Sequence, residues 1–152
     1  MTTLALLITI FVVFHGYVYW MYRKFGVTPS ISKTTMLLKP KNKWAFTLMG
    51  MMGFVFPFIH PGLIPSGFFL IAMSVTINYE KYGETLHNVG AMGCYASAFI
   101  FLAINFWWVG IIPVVLFGVA NWYMKKKKIQ NFTYWQEIVG YEIIWLSLLL
   151  LL

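Results

Sequence analysis

The chain has 152 residues, of which 61% are hydrophobic, 20% aromatic and only 10% charged, against roughly 25% charged in ordinary soluble domains. Eleven Lys and Arg, four Glu and no Asp give a formal net charge of +7, too little charge to clothe a water-soluble globule of this size. Lipid is therefore the expected solvent; a lone Cys94 excludes an internal disulfide or a Cys-rich zinc site, and no Gly-rich phosphate loop, His-Glu-x-x-His or Gly-x-Ser-x-Gly is present.

A hydrocarbon core about 30 Å thick takes roughly 20 helical residues to cross. The first predicted span covers 3–22 and is closed by Arg23 and Lys24. It lacks the basic start and small-residue cleavage site of a signal peptide, so it is expected to be retained. The polar loop 23–43 carries six of the eleven cations. Apolar segments 44–60 and 62–79 follow, joined by a Pro61-Gly62 turn signal. After the charged break from Glu80 to Glu84, spans 85–105 and 109–124 form another pair, reversed near Trp107 and Trp108. Lys125, Lys126, Lys127 and Lys128 then lead into the last span, 133–152. The apolar runs are continuous, without the alternation of a barrel strand, and a helix satisfies its own backbone inside lipid. The expectation is an all-α fold, a polytopic transmembrane bundle of six spans forming a single domain over 1–152.

With six spans, the loops after the first, third and fifth share one face and hold six, one and four cations; the opposite loops and both tails hold none. The positive-inside rule then places those loops in the cytoplasm and both termini outside, in a plasma (inner) membrane. Lys125–Lys128 read as a topology anchor, or as a contact for anionic lipid head groups at about 1 kcal/mol per cation. Such short, juxtamembrane, lysine-dominated runs argue against nucleic acid. The Asn131-Phe132-Thr133 sequon falls on the expected cytoplasmic side and is discounted.

Ionisable groups inside spans are costly and normally face the bundle interior. Five stand out: His15, Glu84, His87, Glu137 and Glu142. Glu142 lies near the middle of its span; Glu137, five residues earlier, projects about 140° away and needs a different partner. His15 lies about 12 Å from Arg23, a depth comparable with Glu137. Glu80, Glu84 and His87 fall on one helical stripe. A composite cytoplasmic-side pocket of His15, Glu84, His87 and Glu137 follows, with side chains of the kind that bind a transition metal or relay a proton. Without a tight spacing such as His-x-x-x-His, mutual hydrogen bonding is the expected state. No metal site, catalytic residue or cofactor is assigned; haem ligation by two histidines finds no specific signal. Asn88, Asn105 and Asn121 supply amides for interhelical bonds, and Gly50, Gly53, Gly90 and Gly93 allow close approach. Pro57 and Pro113 are expected kink sites, most tryptophans lie at span ends, and His60 is expected at the water interface.

Three segments carry a resemblance. Pro29-Ser30-Ile31-Ser32 opens the first loop ahead of a Trp44-x-Phe46 helix start; Leu86-His87-Asn88-Val89-Gly90-Ala91 begins span four; Trp135-Gln136-Glu137 begins the last. Their order resembles the six-span superfamily that includes the damage-regulated autophagy modulators, the lipid-remodelling factors of GPI-anchor maturation and many bacterial proteins. The likeness touches most of the chain through short motifs and marks Ser30, Ser32, His87 and Glu137 as motif positions. It implies a lipid-associated modulator or scaffold with no shared catalytic chemistry. Lys33 and Thr34 depart from the acidic or Gly-rich stretch that follows the family's loop motif, and the cytoplasmic placement of the loop is a second departure.

The leading functional expectation is a non-enzymatic integral membrane protein: a scaffold, assembly factor or lipid-associated accessory, whose partners are membrane lipids and other membrane subunits or further copies of itself. The alternative is a small transporter or proton-coupled channel using Glu137, Glu142 and His87, although no internal repeat is evident. A membrane-embedded lipid-modifying enzyme using His15, Glu84, His87 and Ser32 is the third reading.

Overall fold

The computed structural model describes residues 2–38, 42–76, 83–150 and 152, without the side chains at 35, 36, 76, 83, 84, 108 and 109. The first apolar run forms helix α1, Thr3–Phe25. The Thr2 hydroxyl caps it by accepting from the Ala5 N–H at 3.3 Å. Arg23 and Lys24 occupy its last turn, where cations suit the helix dipole. Gly26, at φ 70°, ends it. A one-turn helix, α2 (Thr34–Leu37), lies in the first loop.

The second apolar segment is helical in pieces: α3 (Trp44–Met51), a 3-10 stretch over Met52–Val55, and α4 (Phe56–Ile59). Pro57 accounts for the tightening, because it lacks an N–H and its ring crowds the carbonyl one turn back. Extended backbone at His60 breaks the run, and a 3-10 turn over Pro61–Leu63 leads into α5, Ile64–Thr76.

Helix α6 covers Gly83–Lys126 but leaves helical geometry at Phe106 (φ −124°) and Trp107 (φ 51°). The chain doubles back there. The Phe117 ring lies 5.6 Å from Phe99 and 6.1 Å from Tyr95, whereas residues 18 apart on a straight helix are separated by about 27 Å. The reversal falls where a hairpin is expected from the sequence. Pro113, by contrast, makes no comparable break, since helical backbone continues through it. Helix α7, Phe132–Leu149, completes the chain.

The protein is thus all-α, with no strand among the described residues. Two helices, Thr3–Phe25 and Thr85–Trp107, are long and apolar enough to cross a membrane; Trp44–Ile59 and Pro61–Val75 are shorter apolar helices. The expected third span runs to residue 79, and its end lies outside the described residues.

α5 runs antiparallel to α3 and to the first limb of α6, and α1 antiparallel to α7. α3 and the turn after it press on α5 through glycine: a Cβ on Gly53 would collide with the Gly67 carbonyl, and one on Gly67 with the Gly53 carbonyl. α5 meets the first limb of α6 through Met73 against Gly90, Phe69 against Gly93, and a 2.9 Å bond between the Ser66 and Ser97 hydroxyls. α7 packs on α6 at Gly140, which faces Tyr95 and Phe117. α1 closes the ring against α7, with Phe14 stacked on Tyr141 at 3.6 Å and Phe11 beside Trp145 at 4.3 Å. Gly53→Val is expected to force α3 from α5 and lower the thermal midpoint in detergent by several degrees. Gly118→Val, whose Cβ would meet nothing within 4 Å, should leave it within a degree or two. Equal midpoints would contradict the close helix contact.

Two core layers stack along the bundle. One gathers Leu7, Ile10, Phe56, Leu63, Phe101, Leu102 and Leu148. The other gathers Phe14, Tyr17, Met21, Phe46 and Tyr134 with Ile31 and Leu38 of the first loop. That loop therefore folds back onto the end of the bundle instead of hanging in solvent.

Candidate functional site

The first loop is built by its own hydroxyls. Thr28 Oγ1 donates to the Ser30 carbonyl at 2.8 Å, and the Lys33 N–H donates to Ser30 Oγ at 3.0 Å. The Ser30 and Ser32 hydroxyls are 3.0 Å apart. Thr34 donates to the Ile31 carbonyl and pairs with the Tyr17 hydroxyl at 2.8 Å. Short hydroxyl side chains compete well for local backbone groups, which is how a turn of this kind is held without regular secondary structure.

The turn aims its N–H groups at α7. The Ile31 N–H donates to Glu137 Oε2 at 2.5 Å, and Ser32 Oγ donates to Oε1 at 3.4 Å. The Tyr95 hydroxyl donates to the Glu137 carbonyl at 2.9 Å, tying α6 to the same point. Asn131 Nδ2 reaches the Val27 carbonyl at 3.3 Å, so the loops after α1 and α6 adjoin. Three motif positions, Ser30, Ser32 and Glu137, thus meet in one centre. The fourth, His87, is buried and bonds the Met73 carbonyl through Nδ1 at 3.1 Å. A carbonyl only accepts, so Nδ1 carries the proton in that bond.

His15 and Glu142 form a second centre. Nε2 of His15 bonds Glu142 Oε1, and Nδ1 bonds the Phe11 carbonyl at 2.9 Å. With Nδ1 donating, Nε2 either accepts the Glu142 proton or donates as imidazolium; both arrangements are neutral overall. The side chains are 35% and 30% exposed.

The composite pocket expected from the sequence does not form as drawn. His15 pairs with Glu142, about one turn deeper than Glu137, because ring packing between α1 and α7 fixes that register. Glu137 instead turns to the loop, and His87 to α5. The Glu84 side chain and all of Glu80 lie outside the described residues. Among the described residues no three His, Cys, Asp or Glu converge as a metal site would require.

Lys24, Lys125 and Lys126 lie at helix ends. Lys24 Nζ sits 5.3 Å from the Trp20 ring, Lys126 Nζ 4.8 Å from Trp122, and Lys125 Nζ 5.6 Å from Phe132. Lys127 and Lys128 are exposed. Stacking on aromatics buries the aliphatic stems while the charges stay at the rim. His60 is exposed, and its Nδ1 accepts from the Gly62 N–H at 3.0 Å.

Between the helices lies a cavity of about 90 Å³, measured as the space open to the centre of a water-sized sphere. Leu7 and Leu148 line one end, Ser32 and Glu137 the other, and its walls are almost wholly apolar. Tyr141 lines it too, and its buried hydroxyl has no hydrogen-bond partner among the described residues. Sequence reasoning did not single out Tyr95 and Tyr141; their mid-span positions were the available signal. Comparison with protein-family models, with curated proteins and with solved structures finds no match.

Proposed function

We propose that the chain is a six-span integral membrane protein of the plasma (inner) membrane, acting as a lipid-associated accessory or assembly protein without chemistry of its own. The observation that carries this reading is its apolar exterior. Ile8, Val12, Phe68, Met92, Ile104 and Val119 are 48–74% exposed on outward helix faces. A soluble monomer rarely exposes contiguous apolar area beyond a few hundred Å². The Val27–Asn131 bond supports the cation-bearing loops sharing one face.

Purification from native membranes in mild detergent tests the reading. The protein is expected to resist alkaline extraction and to retain lipid or a second membrane subunit. Release by alkali would remove the membrane assignment, and a bare monomer with neither lipid nor partner would remove the accessory role. A proton-coupled transporter draws on one observation, the neutral His15–Glu142 pair with a proton to share. Proton flux into liposomes unchanged by Glu142→Gln would eliminate it.

A further inference from the structure

The cavity has the form and chemistry of a lipid-chain site. Its lining on α7 runs from Glu137 to Leu148, eleven residues or about 16 Å of helix rise. Leu7, Ile10, Leu70 and Ala98 give its walls nothing to offer ordered water, which needs two or more polar partners. A hydrocarbon chain suits walls of that character.

One end differs. Ser32, Glu137 and Tyr141 all line the cavity, and the Tyr141 hydroxyl is buried and has no partner among the described residues. Buried hydroxyls are normally satisfied, so an occupant that brings an ester carbonyl or hydroxyl completes the wall. Among the described residues no Lys or Arg lines the cavity. A carboxylate head would stand beside the Glu137 carboxyl group, and like charges side by side disfavour one another. A phosphate head would meet the same acid with no cation among the described lining residues to balance it.

We infer that this cavity binds one acyl chain of an uncharged glycerolipid, its ester and hydroxyl groups at the Ser32–Glu137–Tyr141 end and its tail running toward Leu7 and Leu148. The inference deepens the lipid-associated reading and rests on it for the source of the lipid.

The full-length protein in mild detergent is photolysed with a monoacylglycerol bearing a diazirine in its chain, and the labelled peptides are mapped. Labels are expected on Met49, Met52 and Leu70. Monooleoylglycerol should compete at least tenfold better than oleate or oleylamine. Ala98→Phe and Leu70→Trp, each checked for an unchanged elution volume and thermal midpoint, should abolish interior labelling. Tyr141→Phe, which preserves shape, should weaken competition about three- to tenfold, the worth of one hydrogen bond. Labels confined to exterior positions such as Val12 and Ile104, or interior labels indifferent to both filling variants, would overturn the site. Best competition by oleate or oleylamine would overturn the head-group assignment. Alkaline extraction fails or succeeds independently of all these outcomes, so loss of the membrane reading and loss of the site are separately visible.

Discussion

Replacing Glu142 with Lys is expected to cut the yield of folded, monodisperse protein by at least tenfold. The substitution sets an ammonium against the His15 imidazole, in the middle of α1 and α7, and removes the only carboxylate that meets that ring among the described residues. A lysine at the centre of a membrane helix costs about 2.5–3.5 kcal/mol on insertion scales. Glu142→Leu alone should also be damaging, because it leaves the half-buried His15 Nε2 without its partner. The double variant His15→Leu/Glu142→Leu removes both partners and should recover most of the loss. Size-exclusion profiles of the four proteins decide the matter. Wild-type yield from Glu142→Lys would mean that Glu142 faces water, and a double variant no better than the single ones would mean that the pair does not act as a unit.

The second large effect concerns the first loop. Glu137→Ala takes away the acceptor for the Ile31 N–H and the Ser32 hydroxyl, and with them the tie holding Ile31 and Leu38 in the core. An unsatisfied buried N–H costs about 1–3 kcal/mol, a factor of about five to 150 in the local opening equilibrium. Amide hydrogen exchange over residues 27–38 should accelerate accordingly, while exchange in α5 stays near its original rate. Glu137→Gln keeps one acceptor oxygen and should fall between. Ser32→Ala, which deletes only a 3.4 Å contact to Glu137, should be the mildest of the three. Unaltered exchange in Glu137→Ala would show that the loop is held by its own hydroxyl network alone.

The helical class was legible because it depends on hydropathy and run length, which sequence carries directly. Turns at Pro61 and Trp107 were legible for a similar reason: a proline-glycine pair and an aromatic-rich break punctuate the apolar runs. Gly50, Gly53, Gly90 and Gly93 announced close packing, and the structure sets all four against α5. The opposed directions of Glu137 and Glu142 followed from helical geometry alone.

Partner identity was less accessible. Depth counted from Arg23 placed His15 level with Glu137, an error of about one turn that only the stacking of Phe11, Phe14, Tyr141 and Trp145 corrects. Interhelical register depends on the shapes of rings, and polarity patterns carry little of that information. The loop was read as polar and cationic, although Ile31 and Leu38 sit within it. Their burial, together with the Ile31 N–H on the Glu137 carboxylate, anchors this segment to the bundle.

The central claim is that the chain crosses the bilayer six times with every cation-bearing loop on the cytoplasmic side. Single cysteines introduced at Thr35, His60, Lys127 and Leu152 in a Cys94→Ser background, probed with a membrane-impermeant thiol reagent on intact cells and again after permeabilisation, measure it directly. The account predicts that His60 and Leu152 positions react in intact cells and that Thr35 and Lys127 react only once the membrane is opened. Positions 35 and 127 reacting from opposite sides would contradict it.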